Sequence, residues 1–238
     1  VRLNQGGFAA TGDYLFFMDS DDVLAPNRLQ LFLTAMKNQS ADLCYGKKVK
    51  THDLNEIQKH TTVTWESSTN ALNYMLKNNI MQMCVMCSKE LFLKAGGCNE
   101  KIFIQDESLA LNLGKYSQKI ISTDLHCVFV ILDEEETTRV RGENRLSRHL
   151  EQQHHDMFFT IDDFLQNYPN IDQENKKILI KKAFSTYWKS IKNTPQQCFS
   201  DLLIYLGSKV SPIKIWDKNH QHLIEYFEKL DHVRKIRT

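Results

Sequence analysis

At 238 residues, with 42% hydrophobic and 25% charged side chains, the chain holds enough apolar material for one large or two small domains. A net charge of +1 offers no bulk attraction to nucleic acid, and no apolar run approaches the roughly 20 residues of a membrane-spanning helix. The six cysteines lie mostly in apolar stretches without paired zinc spacing, which predicts reduced core thiols in a cytoplasmic protein. Cys84 and Cys87 form a C-x-x-C, but inside the run MQMCVMC, where core packing outweighs redox or metal chemistry.

In chain order, Tyr14 to Met18 form a short apolar run that stops at three acids, Asp19, Asp21 and Asp22. Pro26 then opens a segment with Leu29, Phe32, Leu33 and Met36 at i, i+3, i+4 and i+7, the spacing of one helix face. The acids therefore stand where a buried strand ends and a helix has not begun, the place where open α/β sheets bind ligands. Asp22 or Asn27 is the candidate helix cap. Asp-Ser-Asp at that position can present two carboxylates to one hard cation, and Mg²⁺ or Mn²⁺ prefers such oxygen donors. An EF-hand is excluded, because Val23 stands at a required oxygen-ligand position.

Downstream, residues 42–49 read as a strand after the link Asn38-Gln39-Ser40. Residues 51–67 read as a loop or edge strands, with Trp65 packing back on the domain. Ala71 to Leu76 suggest a helix and residues 80–86 a strand. A helix from Ser88 is expected to stop at Gly96-Gly97, and another to run from Gln105-Asp106-Glu107 to Gly114. Ile120-Ile121 and the stretch from Cys127 to Leu132 read as two further strands, and Glu134 to Glu136 as a solvated turn. From Leu150 the pattern becomes helical, with stripes at Phe158, Ile161 and Leu165, at Leu179, Ala183, Tyr187 and Ile191, and at Leu223, Phe227 and Leu230. His149, His154 and His155 are expected at the surface. The basic terminus His232-Val-Arg-Lys-Ile-Arg237 reads as a frayed, solvated helix end, with contact to anionic lipid as the alternative.

Gly12-Asp-Tyr, the apolar strand, Asp19-Ser-Asp-Asp22, Leu24, Pro26 and Leu29 together resemble the central block of family 2 glycosyltransferases of the GT-A type. Asn4-Gln5-Gly6 is similar to that family's Asn-x-Gly, although Arg2-Leu3 replaces the usual Ala-Arg. The segment 88–116, with Phe-x-x-x-Gly-Gly, Cys98-Asn-Glu and x-Asp-x-x-Leu-x-Leu, is similar to the family's acceptor-side half. Its Glu-Asp pair reads Gln105-Asp106 here. The segment from Arg139 to Ser147 is similar to the Arg/His-x-x-x-x-Ser-x-Ser region that closes over the donor diphosphate.

The resemblance implies an incomplete GT-A, Rossmann-like mixed sheet with flanking helices over residues 1–148, followed by an all-helical extension over 149–238. The family's nucleotide-binding half precedes this block, so the resemblance implies an N-terminally truncated chain. It further implies that Asp19, Asp21 and Asp22 hold Mn²⁺ or Mg²⁺ against a nucleotide-sugar diphosphate, with a UDP-sugar as donor. Asn4, Gly6, Asp19, Ser20, Arg139, Arg141 and Arg145 fall on the donor side; Gln105 and Glu107 fall on the acceptor side. Asp106 is the implied base that deprotonates an acceptor hydroxyl, giving transfer with inversion to a glycan or lipid-linked acceptor. Enzymes of this kind build bacterial surface polysaccharides at the inner face of the membrane.

Met18-Asp-Ser-Asp-Asp-Val-Leu24 also resembles the opening strand of haloacid-dehalogenase phosphatases, where the first Asp is nucleophile and the second general acid. That family needs a second acidic pair after a later strand, and the downstream pair here, Asp162-Asp163, falls in a helical pattern. A non-catalytic remnant serving as an interaction module is the third alternative.

Overall fold

The computed structural model describes residues 2–20, 22–51, 63–81, 83–131, 149–192, 194, 198–230 and 233. The chain divides into two compact units, Val1–Cys98 with Leu109–Glu143, and Asn99–Ser108 with Asn144–Thr238.

The first unit is a mixed sheet with flanking helices. In chain order it carries α1 (Arg2–Ala9), β1 (Tyr14–Phe17), β2 (Asp22–Leu24), α2 (Arg28–Gln39), β3 (Leu43–Thr51), β4 (Glu66–Ser68), α3 (Ala71–Lys77), β5 (Val85–Ser88) and α4 (Lys89–Ala95). Then come α5 (Asp106–Tyr116), which begins in the second unit, and β6 (Ile120–Ile131). The strand order is β1-β5-β3-β6-β2, with β4 also paired to β6. β3 and β6 run parallel, and the other pairings are antiparallel. Leu15 and Phe17 of β1 are buried, as the apolar run predicts. Phe32, Met36, Cys44, Cys84, Met86, Ile121, Cys127 and Val128 form the core, and Trp65 packs back on it with its ring 5.7 Å from that of Phe32.

Several expectations need correction. The expected strand over 80–86 lies at Val85–Ser88. Asn27 holds the N-cap position of α2 in a left-handed conformation, and its Oδ1 accepts from Arg28 Nη1 at 2.8 Å instead of capping the helix. The helix expected to end at Gly114 continues to Tyr116. Gly114 is there for space, since a Cβ would lie 2.8 Å from Met75 Sδ on α3. The two expected strands after it are one, β6. Its apolar pattern lapses between Ser122 and His126 because the β3–β6 register shifts there, so the alternation changes sides. The α4 boundaries follow the expected chemistry: Ser88 Oγ accepts from Leu91 N, and Gly96 closes the helix at φ +75°.

The second unit contains α6 (Leu150–Asn167), α7 (Gln173–Ile191), α8 (Phe199–Val210) and α9 (Pro212–Glu228). The expected stripes lie inside it, with Phe158 stacked on Phe227 at 4.6 Å, although Leu230 falls just past α9. α8 has no counterpart in the sequence reading, because Phe199, Leu203, Leu206 and Val210 leave an apolar face exposed rather than buried. His149 is exposed, but His155 is buried, with Nδ1 2.8 Å from Asp156 Oδ1. No described helix is long and apolar enough to cross a membrane.

Candidate functional site

β1 delivers Asp19 and Ser20 just past its carboxyl end, and Asp22 opens β2. Ser20 is exposed and the Asp19 side chain is half-exposed, while the Asp22 side chain is only 3% exposed. A carboxylate buried to that extent needs a counter-charge, and Lys48 supplies it. Its Nζ lies 2.5 Å from Asp19 Oδ2 and 2.6 Å from Asp22 Oδ2. Sheet register makes the meeting possible: Lys48 on β3 stands opposite Val128 of β6, and Asp22 on β2 stands opposite Val130 of the same strand. The lysine therefore reaches across β6 to Asp22, two strands away, and also meets Asp19 in the link after β1. Burial by itself lowers the Lys48 pKa, but the hydrogen bonds and charges of Asp19 and Asp22 outweigh it and the net shift is upward.

Two hard oxygen donors thus already converge on one cationic atom. That donor set fits a hard divalent cation, with Asp19 and Asp22 as the residues that would hold it. Among the described residues no three His, Cys, Asp or Glu side chains cluster at metal spacing. Asp21, Arg139, Arg141 and Arg145, together with Glu134 to Glu136, lie outside the described residues.

Asn4 and Gly6 fall on α1. The Asn4 amide is buried and clamps the backbone of Cys98: Nδ2 donates to the carbonyl at 3.0 Å, and Oδ1 accepts from the amide N–H at 2.7 Å. Gly97, at φ +76°, makes room for this, since a Cβ there would run into Asn4. Gly6 is exposed, with open space around its Cα.

Gln105, Asp106 and Glu107, expected on the acceptor side, all lie in the second unit. They end a loop fastened by two acids of α6. Asn99 Nδ2 donates to Asp163 Oδ2 at 2.5 Å, and Ile104 N donates to Asp156 Oδ2 at 2.7 Å. Gln105 is buried, with Nε2 donating to the Asn99 carbonyl at 3.3 Å and its own carbonyl accepting from Ser108 Oγ at 2.7 Å. Asp106 and Glu107 begin α5, where the helix dipole favours negative charge. Burial raises the Glu107 pKa, the Asp106 charge adds to that, and Lys182 on α7 opposes it.

Lys48 and Asp156 were not singled out by sequence, and Asp163 was noted only as part of the acidic pair Asp162-Asp163. Lys48 stands in Lys47-Lys48-Val49-Lys50, where nothing distinguishes the lysine that turns inward; Lys47 and Lys50 are exposed. Asp162 and Asp163 do lie in a helix, as their pattern implies. Asp162 pairs with His220 at 2.5 Å and accepts from Gln166 at 2.9 Å, a set of contacts within the helical unit that is unlike a phosphatase acid pair. No disulfide joins the six cysteines. Burial pushes Cys87 up to about 12, and a hydrogen bond to Cys127 together with burial raises Cys84 further, so the C-x-x-C is core.

Residues 2–94 match the model of Glycosyl transferase family 2. No curated protein sequence matches the chain significantly. Among solved structures, S. aureus TarS 1-349 in complex with UDP-GlcNAc superposes with a TM-score of 0.56 at 12% identity, over 89% of this chain and 60% of that one. The UDP complex of the same protein gives 0.55 at 10% identity, over 89% and 59%. A longer S. aureus TarS structure gives 0.55 at 12% identity, over 96% and 40%. The chain thus spans about 60% of the TarS 1-349 structure it matches, and the likeness establishes the GT-A fold. With that fold, residues 2–94 of the chain are similar to glycosyl transferase family 2.

Proposed function

We propose that this chain carries the diphosphate-side and acceptor-side portions of an inverting glycosyltransferase that uses a UDP-sugar. The observation that carries the proposal is the convergence of Asp19 and Asp22 on one cationic point past the end of β1, inside the segment that matches the family. Support for a uridine donor comes from the TarS structures, which hold UDP-GlcNAc and UDP.

In this proposal Asp19, Asp21 and Asp22 hold Mn²⁺ or Mg²⁺, which when bound offsets charge on the departing nucleoside diphosphate. Ser20 and Gly6 lie on the donor side, with Arg139, Arg141 and Arg145 as diphosphate partners. Asn4 acts by holding Cys98, and so fixes the turn after α4. Asp106 accepts the proton of the acceptor hydroxyl as that oxygen attacks the anomeric carbon from the face opposite the diphosphate, which inverts the configuration. Gln105 and Glu107 border the acceptor, a glycan or lipid-linked hydroxyl. Residues 1–148 form the catalytic portion and 149–238 an acceptor-shaping extension, in a cytoplasmic protein working at the inner membrane face on surface polysaccharide.

The test is calorimetric titration of UDP into the chain with and without Mn²⁺. Mn²⁺-dependent binding that Asp21→Ala abolishes is the expected result. Absence of UDP binding, combined with Mg²⁺-dependent hydrolysis of p-nitrophenyl phosphate, would overturn the proposal.

A further inference from the structure

The two carboxylate oxygens best placed for a cation are already engaged by Lys48. Its ammonium is 2.5 and 2.6 Å from Asp19 Oδ2 and Asp22 Oδ2. A divalent cation bound by the same oxygens would sit about 2.0–2.2 Å from each, so it would occupy nearly the space of the ammonium. Two positive centres cannot share that position. Neither steric room nor charge allows it, because repulsion between a double and a single positive charge is strong where Asp22 is almost fully buried.

We infer that Lys48 is an exchangeable internal counterion: it offsets part of the charge of Asp19 and Asp22 when no cation is bound, and it must leave them before a divalent cation can enter. The inference rests on the proposal that these acids take a cation. Lys48 is suited to the exchange. Its side chain is 19% exposed, so it is not sealed from solvent. The stem is a flexible four-carbon chain ending in a compact point charge, unlike the rigid fork of arginine. Once released, the ammonium keeps its proton and seeks an anion, and the phosphate oxygens of a nucleoside diphosphate entering with the cation are such a partner. No covalent bond changes; one ion pair replaces another. The exchange couples the two ligands: the bare cation binds poorly because it must expel Lys48, and the diphosphate improves its binding by receiving the lysine.

Mn²⁺ binding measured by calorimetry and by electron paramagnetic resonance, without nucleotide and then with UDP, tests this directly. Lys48→Met keeps the length and apolar stem but removes the charge. It should bind Mn²⁺ alone about tenfold more tightly than the unmodified chain, and its UDP affinity at saturating Mn²⁺ should fall severalfold. Lys48→Arg, which grips carboxylates with two donors, should bind Mn²⁺ more weakly than the unmodified chain, and it serves if Lys48→Met does not fold. Asp19→Asn is the control for the acids. If the unmodified chain and the Lys48 variants bind Mn²⁺ equally, and Asp19→Asn loses it, the cation proposal stands and the Lys48 inference falls. If Mn²⁺ binds neither the unmodified chain nor Lys48→Met, both fall.

Discussion

The carboxylates of the two units are held in opposite ways. In the sheet unit, Asp19 and Asp22 share one lysine through ionic contacts, and Asp19 stays half-exposed. In the helical unit, Asp156 and Asp201 are buried to 1% and 3% exposure and accept from backbone and side-chain donors on three sides. A carboxylate surrounded by fixed donors is a brace, because each donor would be stranded in a dry interior if it moved. A carboxylate that is half in solvent, as Asp19 is, can exchange its ammonium partner for another at modest cost. The difference suits one set to support and leaves the other as the proposed ligand site, although both consist of aspartates.

Asp156→Ala should break the brace most severely. It removes the acceptor for Ile104 N, Gln152 Nε2 and His155 Nδ1, at an expected cost of about 3 kcal/mol in the stability of the helical unit. The urea midpoint, followed by the change in helical circular dichroism, reads this. A shift too small to resolve would dissolve the contrast between the two sets. Asp201→Ala should cost less, about 2 kcal/mol, since it releases chiefly Tyr187 Oη at 2.7 Å and Cys198 N at 2.8 Å. Asp19→Asn marks the other pole. The pair it weakens is half in solvent, so stability should change by about 0.5 kcal/mol or less, while Mn²⁺-dependent UDP binding falls at least tenfold. A large loss of stability with unchanged nucleotide binding would make Asp19 another brace.

Much of the sheet unit was legible before the structure, because strong local signals coincide there. Five apolar residues meeting three acids locate the end of β1, and Ser88 with Gly96 bounds α4. What stayed illegible depends on long-range register. Lys48 is recognisable only once the shift in β3–β6 pairing fixes which lysine of the run reaches over β6. Asp156 reads as an ordinary polar position of α6 and Asp163 as half of an acidic pair, and nothing local says that a loop 52 to 64 residues earlier would hang from them. α8 escaped for a different reason. Burial is what makes helical periodicity interpretable, and its apolar face, with Phe199 74% and Val210 85% exposed, is not buried.

Glu107 lies between the two modes and gives the finest test. It is held by burial, by the nearby negative charge of Asp106 and by the opposing charge of Lys182, and the balance raises its pKa above the usual carboxylate value of about 4.3. An acid whose pKa is higher in the folded state keeps its proton longer when folded than when unfolded. Below the unfolded value both states are protonated and Glu107 adds no pH dependence. As pH rises through the interval up to the raised folded value, the unfolded state sheds its proton first and stability falls. Glu107→Gln should flatten that part of the profile of urea midpoint against pH and leave the helical unit slightly more stable at neutral pH. Lys182→Met should do the reverse and steepen the fall, because the charge that eases ionisation of Glu107 is gone. If the slope survives Glu107→Gln unchanged, burial does not penalise this carboxylate, and Glu107 belongs with the half-solvated acids rather than with the buried braces.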